Sequence, residues 1–167
     1  MRILLGITGG IAAYKAAGLI RGLSELGHDV TVVPTENALK FIGKPTLESL
    51  SGHAIETDMY QDVAQVRHVE LGQQADLILI APATASFIAR FAAGIADDLM
   101  LNAILASKAP VIVCPAMHTE MWQNQATIAN VETLKSRGVL VIDPAVGRLT
   151  GTDSGVGRLP EPEYIVQ

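Results

Sequence analysis

Ile3-Leu4-Leu5-Gly6-Ile7-Thr8-Gly9-Gly10-Ile11-Ala12-Ala13-Tyr14-Lys15 is the stretch that decides the fold. An unbroken apolar run of strand length ends in a polar threonine and two glycines, and helical spacing then carries on through residues 11–26. Strands without polar alternation belong to a parallel sheet covered on both faces. Runs of the same character recur at 30–33, 77–81, 110–114 and 139–142, and helical spacing recurs at 87–93, 99–106 and 125–137. Gly27 and Gly138 follow the first and last helical segments, where helices often end on a left-handed residue. Strand and helix in alternation predict an α/β, doubly wound parallel sheet in three αβα layers. Ligands in such sheets bind outside the carboxyl ends of the strands.

The chain of 167 residues fits one domain that buries a core without disulfides or a structural metal. Apolar residues make up 49% and charged residues only 17%, so little surface is left for solvation and burial against further copies is expected. The net charge of -5 excludes a general attraction to nucleic acid or anionic membrane. The single cysteine, Cys114, lies in an apolar run and reads as a core thiol in a reducing compartment. The first residues lack the h-region of a signal peptide, and no segment approaches the roughly 18 apolar residues of a membrane span, so a cytoplasmic protein is expected.

The glycine-rich turn over residues 6–15 brings backbone amides to a helix start, where the dipole favours an anion. It matches neither Gly-x-Gly-x-x-Gly nor a Walker lysine motif, which favours a mononucleotide phosphate over a pyridine dinucleotide or ATP. A turn that merely tightens a strand-helix junction explains the glycines too. Thr35, at the end of the second strand, either caps the next helix or donates to a phosphate. Residues 143–162 are rich in Gly, Pro, Thr and Asp without periodicity, and are expected to form a long ordered loop or flap over residues 1–142.

Three further segments accompany the turn: Arg67-His68-Val69-Glu70-Leu71, Ala81-Pro82-Ala83-Thr84-Ala85-Ser86, and Pro115-Ala116-Met117-His118-Thr119-Glu120-Met121-Trp122. In this order they resemble the homo-oligomeric flavin-containing cysteine decarboxylases. The likeness is strongest to the decarboxylase domain of the bifunctional phosphopantothenoylcysteine decarboxylase and ligase of coenzyme A biosynthesis, and it runs through Arg158-Leu159-Pro160-Glu161-Pro162. The resemblance implies a flavodoxin-like fold, an FMN cofactor, homotrimers or dodecamers with flavin at their interfaces, and a small cysteine-derived substrate. No ligase half is expected within these residues, although a ligase domain or subunit fits as a partner. The implied chemistry is oxidation of the cysteine side chain to a thioaldehyde, loss of CO2 to an enethiol, and reduction of that enethiol.

The family's pattern assigns its essential histidine to His68, in a strand-like segment, as the proton-transfer group. It assigns flavin contacts to Gly9, Gly10, Ile11, Thr35, Phe41, Ala83, Thr84, Ser86 and Met117, with capping as the other reading of Thr84 and Ser86. Substrate contacts fall on His118, Met121, Trp122 and Arg158, with core packing as the other reading of the methionines and Trp122. His28 and His53 read as solvated surface.

Two departures stand out. His118 occupies the position of the motif's asparagine, which binds the substrate carboxylate; an imidazole can donate there as well. In coenzyme A-type members the flap carries Ala-Cys-Gly-Asp, whereas this chain reads Thr150-Gly151-Thr152-Asp153, so the proton-donating cysteine is missing. Asp153 or Thr152 then supplies the proton, or the reaction stops at the enethiol, as in peptidyl-cysteine decarboxylases. A non-catalytic regulatory subunit on the same scaffold is the remaining alternative; flavin prenyltransferases and flavodoxins need no such combination of motifs.

Overall fold

The computed structural model describes residues 1–55, 57 and 66–167. Strand β1 (Arg2–Ile7) leads through a 3-10 turn (Ile11–Lys15) into α1 (Ala16–Glu25). Next come β2 (Asp29–Pro34), α2 (Lys44–Ser51), α3 (Arg67–Gln74), β3 (Leu77–Ala83), α4 (Ala85–Ala93), α5 (Leu99–Ala106) and β4 (Val111–Pro115). The remaining elements are α6 (Thr119–Trp122), α7 (Gln125–Ser136), β5 (Leu140–Val141), β6 (Ala145–Arg148), β7 (Ser154–Arg158) and α8 (Pro162–Val166). Five parallel strands form one sheet in the order β2-β1-β3-β4-β5, the flavodoxin-like arrangement.

The unbroken apolar strands are explained by two cores. Alternate residues of β1 point to opposite faces: Ile3, Leu5 and Ile7 pack with Leu19, Ile20 and Leu47, while Leu4 packs with Phe87, Ile88, Leu101 and Ile104. Both faces are thus buried under helices, as a parallel sheet requires. Gly27 and Gly138 stand at φ 80° and 86°, as expected of residues that end helices.

Two local expectations are corrected. Residues 143–162, expected as a long ordered loop or flap, contain two strands: β6 and β7 make an antiparallel hairpin, with Ala145 opposite Arg158 and Arg148 opposite Ser154. Its glycines hide the alternation that marks a strand, because they are there for close approach to a neighbouring loop. The His68 segment is helical rather than strand-like: Gly72 lets α3 approach α5 so closely that a methyl group there would overlap the Ala103 carbonyl. That contact is tertiary and leaves no local trace.

The chain runs from β1 outward to β2, then crosses to β3 on the other side of β1, so the carboxyl ends of β1 and β3 bracket a switch-point crevice. Thr8 ties these two ends together. Its buried hydroxyl donates to the Pro82 carbonyl at 2.7 Å and accepts from the Thr84 amide at 2.9 Å, while its own amide donates to the same carbonyl at 3.2 Å. The Ala81–Pro82 peptide bond between them is cis. Thr8→Val keeps the shape but leaves the part-buried Thr84 amide unpaired, so it should destabilise the fold by about 1–2 kcal/mol in denaturant titration; no change would show the bridge to be dispensable.

Candidate active site

A cavity of about 820 Å3 opens at this crevice, a size that suits a cofactor-sized ligand. Its floor is the glycine-rich turn with Gly9, Gly10 and Ile11, its walls include Phe41, Thr84 and Met117, and its far side carries His118, Met121 and Arg158. The two glycines serve different ends. A methyl on Gly9 would run into Asn37, so glycine is required there by packing, whereas one on Gly10 would meet only Thr84 Cγ2, at 3.9 Å. Among the described residues no neighbour demands a glycine at position 10, and the space it leaves belongs to the cavity. Within the first turn the Ala13 amide donates to Gly10 O at 3.0 Å, while those of Ile11 and Ala12, at the helix start beside the cavity, have no intrahelical acceptor.

Thr84 caps α4, its hydroxyl accepting from the Phe87 amide at 3.2 Å, and lines the cavity as well. Ala83 is fully buried in β3 and lines nothing. Thr35 and Ser86 open instead into a second cavity, beside Asn37, Arg90, Asp97 and Asp98. Thr35 also accepts from the Ala38 amide at 3.2 Å, the capping role, and Arg90 is held by Asp97 at 2.7 Å and Asp98 at 3.1 Å.

The hairpin lies on the Pro115-to-Trp122 motif through backbone contact. Met117 N donates to Gly157 O at 3.0 Å, and the Thr119 hydroxyl donates to Val156 O at 2.7 Å. Methyl groups on Gly155 or Gly157 would overlap Thr119 Oγ1 or the Met117 carbonyl, and Gly157 has φ 150°. The hairpin therefore covers the cavity from the side of the motif. At its tip His118 is held on both ring nitrogens, with Asp153 Oδ2 3.4 Å from Nδ1 and Thr150 Oγ1 3.2 Å from Nε2. Asp153 itself does not line the cavity. Trp122 packs against the core of the α4 face rather than lining either cavity.

His68 sits half-buried near the start of α3 and lines neither cavity; among the described residues its Nδ1 is buried without a hydrogen-bond partner. His53 lies at the surface as expected, its Nε2 2.6 Å from the exposed Asp29, whereas the surface reading of His28 is corrected: it is half-buried, with Nδ1 buried. Cys114 is completely buried, and burial pushes its thiol up to about 12. It is no proton donor.

Lys15 closes the glycine-rich turn, and sequence reasoning passed over its partner. Its ammonium, only 4% exposed, donates to Leu159 O and to Glu161 Oε1, each at 2.9 Å. This hydrogen bond holds the Glu161 carboxyl below the usual carboxylate range against the opposing effect of burial, and Arg158 adds to the lowering through its own pair with Glu161. The lysine-glutamate pairing spans 146 residues of sequence and has no local signal.

Cys114 should resist alkylation at pH 8 in the native protein and react fully in denaturant; fast native labelling would contradict its burial. Gly157→Ala should detach the hairpin, read as new tryptic cleavage at Arg148 or Arg158 with the sheet intact. Unchanged protection would show that β7 can dock with a side chain there.

Among the described residues no helix is long and apolar enough to cross a membrane, and no group of three or more His, Cys, Asp or Glu residues has metal-binding geometry. The family model for Flavoprotein matches residues 1–167. The chain is 57% identical over 164 residues, 98% of its length, to the coenzyme A biosynthesis bifunctional protein CoaBC of Mycolicibacterium smegmatis. It is 47% identical to the same-named protein of Vibrio vulnificus. It spans 40% and 42% of those relatives. Among solved structures, a cysteine-to-serine mutant of PPC decarboxylase complexed with pantothenoylaminoethenethiol is similar at TM-score 0.88 and 31% identity, covering 99% of this chain and 93% of that one. The FMN-dependent cysteine decarboxylase SpaF is similar at TM-score 0.85 and 30% identity, with the same coverage. Sheet order, the glycine-rich crevice and these likenesses agree: the chain belongs to the Flavoprotein family.

Proposed function

We propose that this chain decarboxylates 4'-phosphopantothenoylcysteine on the way to phosphopantetheine in coenzyme A biosynthesis, as an FMN-dependent carboxy-lyase. The observation that carries the reading is the cavity that joins the glycine-rich turn to the Pro115-to-Trp122 motif under the β6–β7 hairpin. The names of the CoaBC relatives and the enethiol in the PPC decarboxylase complex support it.

The residues present fit FMN. The first-turn amides and the space above Gly10 receive a phosphate, and Phe41, Thr84 and Met117 supply walls for a ring system. Bound there, a flavin supplies acceptance and return of a hydride. His118 donates to the substrate carboxylate from the motif side, and Met121 packs against the apolar arm. Asp153, 3.4 Å from Nδ1, orients the His118 ring, and the hairpin excludes water from the covered substrate.

His68 serves as the proton-transfer group in this reading, which requires a second copy of the chain, because one copy alone leaves it outside both cavities. The exposed apolar residues Ile11, Tyr14, Phe41 and Met121 around the cavity favour such self-association, as a homotrimer or as a dodecamer built from trimers. A cytoplasmic location and a ligase domain or subunit as partner belong to the same reading. Gly151, which stands where coenzyme A-type flaps carry cysteine, and the likeness to SpaF favour a second one: a peptide C-terminal cysteine converted to an enethiol.

The purified protein should be yellow and release CO2 from 4'-phosphopantothenoylcysteine. Mass spectrometry should find phosphopantetheine; an accumulating enethiol two hydrogens lighter would support the second reading and sink the first. His68→Asn should keep flavin but slow decarboxylation by about 100-fold or more; loss of flavin would make the histidine structural. Gly151→Cys should change little if another group already donates the proton.

A further inference from the structure

The charges around the two cavities are sorted. Among the described residues three cations, Lys15, Arg148 and Arg158, line the first cavity and no carboxylate does, in a chain of net charge -5, whereas Glu36, Asp97 and Asp98 surround Arg90 in the second. Glu161 answers two of these cations, Lys15 and Arg158, so among the described residues the first cavity carries a surplus of positive charge for an anion. Lys15 is spent: its buried ammonium is bonded to Leu159 O and Glu161. That leaves the two arginines, which stand at opposite ends of facing strands on the hairpin.

Their guanidinium groups are held. Arg148 Nε donates to Gly151 O at 2.9 Å, which fixes the fork within the hairpin turn and, among the described residues, leaves its two NH2 groups without an acceptor. Arg158 lies across Gly147, its Nη1 only 3.3 Å from where a Cβ would stand, so the glycine makes room for the flat group. One Nη of Arg158 is bonded to Glu161, which is itself gripped by Lys15; Nε and Nη1 remain for a ligand. Planar forks with free N–H pairs suit a phosphate better than a single carboxylate oxygen.

We propose that Arg148 and Arg158 form the seat for the terminal phosphate of the substrate, and that Lys15, acting through Glu161, is the positioning residue that holds Arg158 there. The inference rests on the reading of the substrate as a phosphorylated pantothenoyl compound. It adds a basis for selectivity: a peptide ending in cysteine brings no phosphate to the hairpin. The flavin phosphate is received separately, at the glycine-rich turn.

The test is titration calorimetry of the flavin-loaded protein with 4'-phosphopantetheine and with pantetheine, which differ only in the phosphate and lack the carboxylate. Wild type should bind the phosphorylated compound tighter by about tenfold or more, and Arg148→Met with Arg158→Met should bring the ratio close to one. Lys15→Met and Glu161→Gln should each lower the ratio several-fold. Neither should lower it further when combined with Arg158→Met, a coupling that general loosening of the fold would not produce. If Lys15→Met does not fold, Glu161→Gln carries this arm alone. A wild-type ratio near one, a ratio unchanged in the double arginine variant, or loss of flavin from that variant would overturn the assignment. Binding is read without turnover, so absence of decarboxylation in the wild type would count against the proposed reaction and leave the phosphate seat standing or falling on its own ratio.

Discussion

The hydroxyl of Thr8 holds the two sides of the crevice at one spacing. It sits where β1 ends and bonds to both the carbonyl and the amide that frame the end of β3, so the glycine-rich turn and the Thr84 cap are built from a shared reference point. A parallel sheet leaves backbone groups unpaired at its carboxyl ends, and burying them without partners is costly. A threonine satisfies two of them with one side chain while keeping the next two positions free for glycines. The geometry of Gly9, Gly10 and Thr84 around the cavity descends from that bridge.

The second constraint is backbone proximity at the hairpin. Gly155 and Gly157 lie so close to Thr119 and Met117 that side chains are excluded, and the hydrogen bonds there bind the hairpin to the motif that carries His118. The Lys15 ammonium secures the strand's far end. A charge this deeply buried is tolerable only with full pairing, and here the partners are a carbonyl and a carboxylate from the segment just after β7. Cover and floor are consequently one mechanical unit.

Much of this was legible locally. The five strands, the long first helix and the glycines that end helices follow from apolar periodicity, and the motif positions Gly9, Gly10, Ile11, Phe41, Thr84, Met117, His118, Met121 and Arg158 meet in one cavity. The hairpin was not legible, because its glycines answer to a neighbouring loop rather than to strand alternation. Nor was the helix around His68, whose Gly72 answers to α5. Thr35 and Ser86 share the motif context of the cavity residues, yet the turn of the chain after each strand carries them into the second cavity.

By itself the sequence determined the layered parallel sheet, the position of the glycine-rich turn at its carboxyl edge, and the absence of a flap cysteine, because each depends on residues adjacent along the chain. Tertiary structure alone decided that Lys15 grips Glu161, that His118 is held between Asp153 and Thr150, and that Arg148 and Arg158 both come to line the cavity. Those outcomes depend on which distant groups come within hydrogen-bonding range once the hairpin packs on the Pro115-to-Trp122 motif and the segment after it meets Lys15, and ion pairing at that separation has no periodicity or spacing to announce it.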